Sequence, residues 1–151
     1  MKNSIKLFSI ILLATVFSLS SCSQNQEEIA PQTAQTNNSS VNAPNTAEFR
    51  VVQSFINAIN ANDRSAVAPL IATNAGYAYS LTGALNTGER FQSWLESDLF
   101  APRAVIQMET VTQNGNVVRI QGRWGRNGNA TNRADYYFTV ENGLITAWRL
   151  V

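Results

Sequence analysis

The 151-residue sequence has no histidine, one cysteine and only two lysines. Without histidine there is no Ser-His-Asp triad, no Cys-His dyad and no imidazole zinc site. Cys22 lies ahead of the part that can fold, so a thiolate zinc site and a disulfide within the chain are excluded too. Lys2 and Lys6 both fall in the first 22 residues. Beyond them nine arginines face ten acids, for a net charge of −1. That balance makes no electrostatic case for nucleic acid. No carboxylate pair stands at a spacing that argues for metal, and no glycine-rich phosphate loop surrounds Gly88. Neither metal nor cofactor is expected. No apolar run reaches the roughly 20 residues of a transmembrane helix.

The longest apolar run is Leu7 to Phe17, 11 residues behind the positive Lys2 and Lys6. Its length suits the core of a secretory signal. The run ends in Leu19-Ser20-Ser21-Cys22, which resembles the lipobox of bacterial lipoproteins. That resemblance implies cleavage before Cys22 and acylation of Cys22, with the membrane as a partner. It implies a place in the bacterial cell envelope, on the periplasmic or extracytoplasmic side. One acyl chain holds a protein only marginally, whereas several hold it essentially permanently. Ser23 is compatible with the outer membrane, and the choice of membrane stays open.

Residues 23–45 contain no aromatic and no basic residue, and are rich in Gln, Asn, Ser and Thr with Pro31 and Pro44. Such a segment buries too little apolar surface to offset its ordering entropy. As a flexible tether it spans on the order of 25 Å. The foldable part is therefore residues 46–151, enough for one core.

Asn45 followed by Glu48 reads as a capping box. Val52, Phe55, Ile56 and Ile59 then fall at i, i+3, i+4 and i+7, the apolar face of a helix over about 46–61. Asp63 caps a short second helix that Pro69 breaks. Ala75–Leu81 alternates like a strand. Thr87 caps a third helix whose apolar face is Phe91, Trp94 and Leu95, ended by Pro102. Four β segments follow: Ala104–Thr112, Val117–Trp124, Ala134–Val140 and Leu144–Val151. Asn114-Gly115 and Asn142-Gly143 mark two tight turns; Arg126–Arg133 reads as a longer loop. Helices first and a meander afterwards predict an α+β fold, with the helices on one face of a curved sheet.

Three stretches resemble the NTF2-like superfamily, which includes SnoaL-like proteins and ketosteroid isomerases. They are Val51–Asp63 (VVQSFINAINAND), Thr87–Phe91 (TGERF) and Phe138–Ile145 (FTVENGLI). Together they span nearly all of residues 46–151. The resemblance implies a cone of curved antiparallel sheet closed by three N-terminal helices around a deep apolar pocket. The isomerases of that family use a general-base Asp and an oxyanion hole of a Tyr and a protonated Asp. The match puts Phe55 at the Tyr position, Tyr79 near the base and Tyr136 near the second donor. A Phe ring donates nothing, and a neutral phenol is a poor base near pH 7. No catalytic residue is therefore assigned.

Strand parity puts Tyr136, Phe138 and Val140 on the inner face and Asp135 outside. It puts Val118, Ile120, Gly122 and Trp124 inward. Arg119 and Arg123 then form an outer stripe with Arg126 nearby, either solvated or a contact face for an acidic partner or lipid headgroups. Glu109 is free to face either way; buried, its pKa would rise and it could serve as an acid or base. Phe55, Tyr77, Tyr79, Trp94, Tyr136 and Phe138 are the candidate pocket residues, or else simply core. Three readings stay open. One is a non-catalytic binder of a small hydrophobic ligand or a protein partner. The second is a SnoaL-like enzyme of the isomerase, cyclase or dehydratase type. The third is a structural module that forms a homodimer through its sheet.

Overall fold

A computed structural model describes residues 42–151. The leader, Cys22 and the tether as far as residue 41 lie outside the described residues. The elements are α1 (Ala47–Asn60), α2 (Arg64–Val67), β1 (Ile71–Ala78), β2 (Asn86–Thr87), α3 (Glu89–Trp94), β3 (Ala104–Asn114), β4 (Val117–Arg126), β5 (Asn129–Glu141) and β6 (Leu144–Leu150). A 3-10 turn, Ala68–Leu70, extends α2, and a π turn, Leu95–Phe100, extends α3. The six strands form one curved sheet in the order β2-β1-β6-β5-β4-β3. The expected α+β class holds, with helices packed on one face of the sheet. One expectation is corrected: β1 pairs parallel to β6, while every other neighbouring pair is antiparallel.

α1 forms where its period predicts, and it buries Phe49, Val52, Phe55, Ile56, Ala58 and Ile59. Its cap lies one residue later than expected. Thr46, not Asn45, takes the cap position and accepts from the Phe49 N–H at 3.1 Å. Asp63 caps α2 as read, accepting from the Ser65 and Ala66 N–H groups at 3.0 and 3.1 Å. Pro69 sits at the start of the 3-10 turn, where its missing N–H costs nothing. Thr87 does not cap α3. It pairs in β2, and Gly88 at φ +60° turns the chain into the helix. β1 begins at Ile71 and ends at Ala78, short of the expected Leu81.

The expected loop at Arg126–Arg133 is mostly strand. Asn127 and Gly128 alone make the turn, at φ +53° and +83°, and pairing resumes at Asn129. Two successive left-handed residues match the twist of the flanking strands, the same solution as at Asn142-Gly143.

Side chains fasten α1 to the edge strand β3 at both ends. Near its start Gln113 accepts from the Thr46 hydroxyl at 2.6 Å and donates to Glu48 at 3.3 Å, and at its end Asn60 bonds the β3 backbone. The Asn60 amide donates to the Ile106 carbonyl at 2.9 Å, and its oxygen accepts from the Ile106 N–H at 2.7 Å. β3 is the last strand of the sheet, so Asn60 supplies bonds that a seventh strand would otherwise make. Asn60→Ala leaves a buried donor and acceptor unpaired, at about 1–3 kcal/mol. Urea unfolding should show a lower midpoint with an unchanged slope; a midpoint equal to wild type would show that water replaces the amide without cost.

Candidate functional site

The interior of the sheet's curve is filled by rings from four elements. α1 supplies Phe55, α3 supplies Trp94, β5 supplies Tyr136 and Phe138, and β6 supplies Trp148, all buried. Trp148 stands at the centre. Its ring lies 5.3 Å from Phe55, 5.1 Å from Phe138, 5.7 Å from Tyr136 and 4.7 Å from Trp94, centroid to centroid. Phe138 is its partner across the β5–β6 ladder. The other side of Trp94 stacks on Tyr77 at 4.4 Å and 10°. Tyr77 in turn meets Tyr79 edge-on at 5.6 Å.

Five of the six predicted ring residues thus lie in one cluster reaching from the core to the rim. Tyr79 is placed differently. Its side chain leaves the end of β1, and the residue is 60% exposed. Its hydroxyl accepts from the Trp94 indole N–H at 2.8 Å, so it braces the rim rather than lining the interior. Trp148 was not among the predicted residues. The β5–β6 pairing slips between Thr139 and Val140. That irregularity shifts the alternation along β6, so Ile145 and Trp148, three apart, are both buried. Simple parity cannot anticipate this.

The two indoles differ in one respect. Trp94 has its acceptor in Tyr79, whereas Trp148 Nε1 is buried with no hydrogen-bond partner among the described residues. Near it, burial pushes the Tyr136 phenol well above its ordinary range, so it is a donor and not a base near neutral pH. Partial desolvation where its hydroxyl meets Trp94 also raises the Tyr79 phenol, although most of the residue is exposed. Among the described residues no charged side chain is buried.

The carboxylates raised as candidates lie outside. Asp135 takes the Arg119 guanidinium in two bonds of 2.9 and 2.5 Å. Glu109, which sequence left free to face either way, faces out and meets Arg123 at 2.9 Å. The outer stripe is therefore largely self-neutralised, with Arg119 also over the Tyr137 ring and Arg126 over Trp124. An acidic partner would have to compete with carboxylates already in place.

Two clefts flank α3. One, of about 390 Å³, lies at the rim against Tyr77 and Trp94, with Ser93, Ser97 and Asp98 along its side. The other, of about 400 Å³, lies between α2 and the π turn.

No protein-family model matches the sequence, and no curated protein sequence matches it. Solved structures do match the fold. An NTF2-like protein from Cytophaga hutchinsonii is 19% identical, with a TM-score of 0.56 over 69% of this chain and 88% of that one. A Mycobacterium tuberculosis protein in complex with estradiol-17beta-hemisuccinate is 20% identical, with a TM-score of 0.55 over 70% and 92%. The epoxide hydrolase/cyclase-like enzyme SalBIII is 18% identical, with a TM-score of 0.57 over 68% and 88%. The fold is thus the NTF2-like cone, an architecture that these neighbours use both to bind ligands and to catalyse.

The raised Tyr136 pKa makes stability depend on pH in one direction. Above the ordinary phenol pKa of about 10, the unfolded chain loses this proton while the folded chain keeps it. Ionisation then lowers the free energy of the unfolded state alone, so stability is intact below that pH and falls above it, by at most about 1.4 kcal/mol per pH unit for one group. Urea midpoints measured between pH 9 and pH 11 should fall, and Tyr136→Phe should remove most of that fall. An equal slope in the variant would mean that other groups cause it.

Proposed function

We propose that the chain is a lipid-anchored envelope protein whose NTF2-like domain binds a small, flat apolar ligand without transforming it. The observation that carries this reading is the buried indole N–H of Trp148, which has no partner among the described residues and stands among rings with no charged group beside it. A ligand with a ring body and one acceptor oxygen would match those walls and satisfy that donor. The rim cleft beside Tyr77 and Trp94 is its way in. The Mycobacterium tuberculosis neighbour holds a steroid conjugate, so this architecture can take a fused-ring ligand.

Acid-base chemistry of the isomerase kind needs a carboxylate at the substrate carbon and two donors at the developing oxyanion. The sequence match puts Phe55 at the first donor and Tyr79 near the base; a Phe ring donates nothing, and Tyr79 stands exposed at the rim with its hydroxyl on the Trp94 indole. Tyr136 and Trp148 are donors suited to an oxygen, but among the described residues no buried carboxylate stands beside them to take a proton from carbon. A second reading, a structural module that dimerises through its sheet, is favoured by the close ring contacts around Trp148. Those contacts require ring movement before a ligand can enter.

Two experiments test the proposal. For the anchor, Cys22→Ala should move the protein from the detergent phase to the aqueous phase and abolish labelling by a palmitate analogue. A wild-type protein that takes no label would rule the anchor out, and labelling that persists in the variant would rule out Cys22 as its site. For the ligand, native mass spectra of the chain without its leader should show an added mass that denaturation releases. Trp94→Ala should weaken retention about tenfold, ~1.4 kcal/mol. A ligand-free dimer would overturn the binding reading in favour of the structural one.

A further inference from the structure

The cleft between α2 and the π turn is separate in chemistry from the ring cluster. Val67, Leu95 and Phe100, all buried, form its floor, and Ile71 and Ala72 form one wall. Its rim carries Arg64 and Glu96. The Arg64 guanidinium lies 4.7 Å over the Phe100 ring. Its Nε and Nη2 grip both oxygens of the Glu96 carboxylate, at 3.0 and 2.6 Å. A planar fork held over an aromatic face is a site shaped for one carboxylate, and Glu96 shows how a carboxylate sits in it.

Glu96 is a weak occupant. Both side chains are about half exposed, at 51% and 55%. Exposed pairs of this kind contribute little to stability, so parting Arg64 from Glu96 costs little, but an outside carboxylate still has to offset its association cost by other contacts. It gains more if it brings an apolar tail, because the floor beneath the fork is hydrocarbon and the cleft volume of about 400 Å³ is within the range of small-molecule sites.

We infer that this cleft binds a monocarboxylate with a hydrocarbon tail, of the fatty-acid class, with its head on Arg64 in place of Glu96 and its tail over Val67, Leu95 and Phe100. The site does not depend on ligand binding in the ring cluster. Affinity in it rises with tail length by about three- to fourfold for each methylene that reaches the floor.

The test is calorimetric titration of the chain without its leader with dodecanoate below its micelle concentration. Dodecanol and butanoate serve as controls for head and tail. Dodecanoate should bind, and both controls should bind at least about tenfold more weakly, because each lacks one of the two recognised parts. Arg64→Gln should weaken dodecanoate by a similar factor. Glu96→Gln should tighten it severalfold, because the internal competitor is gone. Merely disturbing the α2–α3 contact would not improve binding, so this sign separates the proposal from a structural effect. Trp148→Phe should leave dodecanoate affinity unchanged. No binding by wild type, equal binding of dodecanol, or a Glu96→Gln variant no tighter than wild type would each overturn the inference. Loss of binding in Trp148→Phe but not in Arg64→Gln would overturn it as well, by placing the acid among the rings. The cleft can fail while the ring-cluster ligand is retained in native spectra, and the reverse, so the two readings are separable.

Discussion

The indole of Trp148 touches rings from α1, α3 and β5 while its own N–H finds no partner among the described residues. These two facts pull in opposite directions, and magnitudes decide between them. An unpaired buried donor costs about 1–3 kcal/mol. Aromatic pairs contribute about 0.5–1.5 kcal/mol each beyond the area they bury, and Trp148 makes four of them. Packing therefore outweighs the lost hydrogen bond. The residue is stable in place and still presents an unmet donor to whatever acceptor reaches it.

The rest of the interior follows from having that indole at its centre. A ring in a dry environment tolerates no neighbouring charge without a partner. Among the described residues none is buried, and the carboxylates and arginines of β3, β4 and β5 pair with one another on the outer face. Trp94 is held between Trp148 and Tyr77, and its N–H is taken by Tyr79 at the rim. The stack thus grades from an unsatisfied donor inside to a satisfied one at the edge.

Much of this architecture was legible in the sequence, and the failures have physical causes. The period of Val52, Phe55, Ile56 and Ile59 located α1 because one face of a helix is buried along its whole length. Parity on β5 sorted Tyr136 and Phe138 from Asp135, since no irregularity interrupts that stretch of its pairing with β4. Trp148 was missed because the slip between Thr139 and Val140 moves the alternation of β6 midway. The Asn127-Gly128 turn was hidden by polar strand ends on both sides, which read as loop because they face water. Alternation over Ala75–Leu81 suggests a strand that carries Tyr79, but β1 stops at Ala78, and the wall of a strand does not extend past its last ladder bond. The Arg64–Glu96 fork had no local signal at all. It joins residues 32 apart, and only the packing of α2 against the π turn brings them together.

α3 and its π turn border the ring cluster and both clefts. Trp94 faces the ring cluster, Ser93, Ser97 and Asp98 face the rim cleft, and Leu95, Glu96 and Phe100 face the Arg64 cleft. An α-helix with 3.6 residues per turn aligns positions three and four apart. The π turn departs from that register: the Ala101 N–H reaches back five residues to the Glu96 carbonyl at 2.8 Å. The extra residue in the turn changes how Glu96 and Phe100 are set relative to Trp94. Such turns are rare inside helices and are frequent at functional sites. Here the side chains beyond the change of register are Glu96 and Phe100, the carboxylate gripped by Arg64 and the ring beneath its guanidinium. The departure from α geometry thus falls where apolar floor and carboxylate fork meet, while the charge-free ring cluster lies on the other side of Trp94.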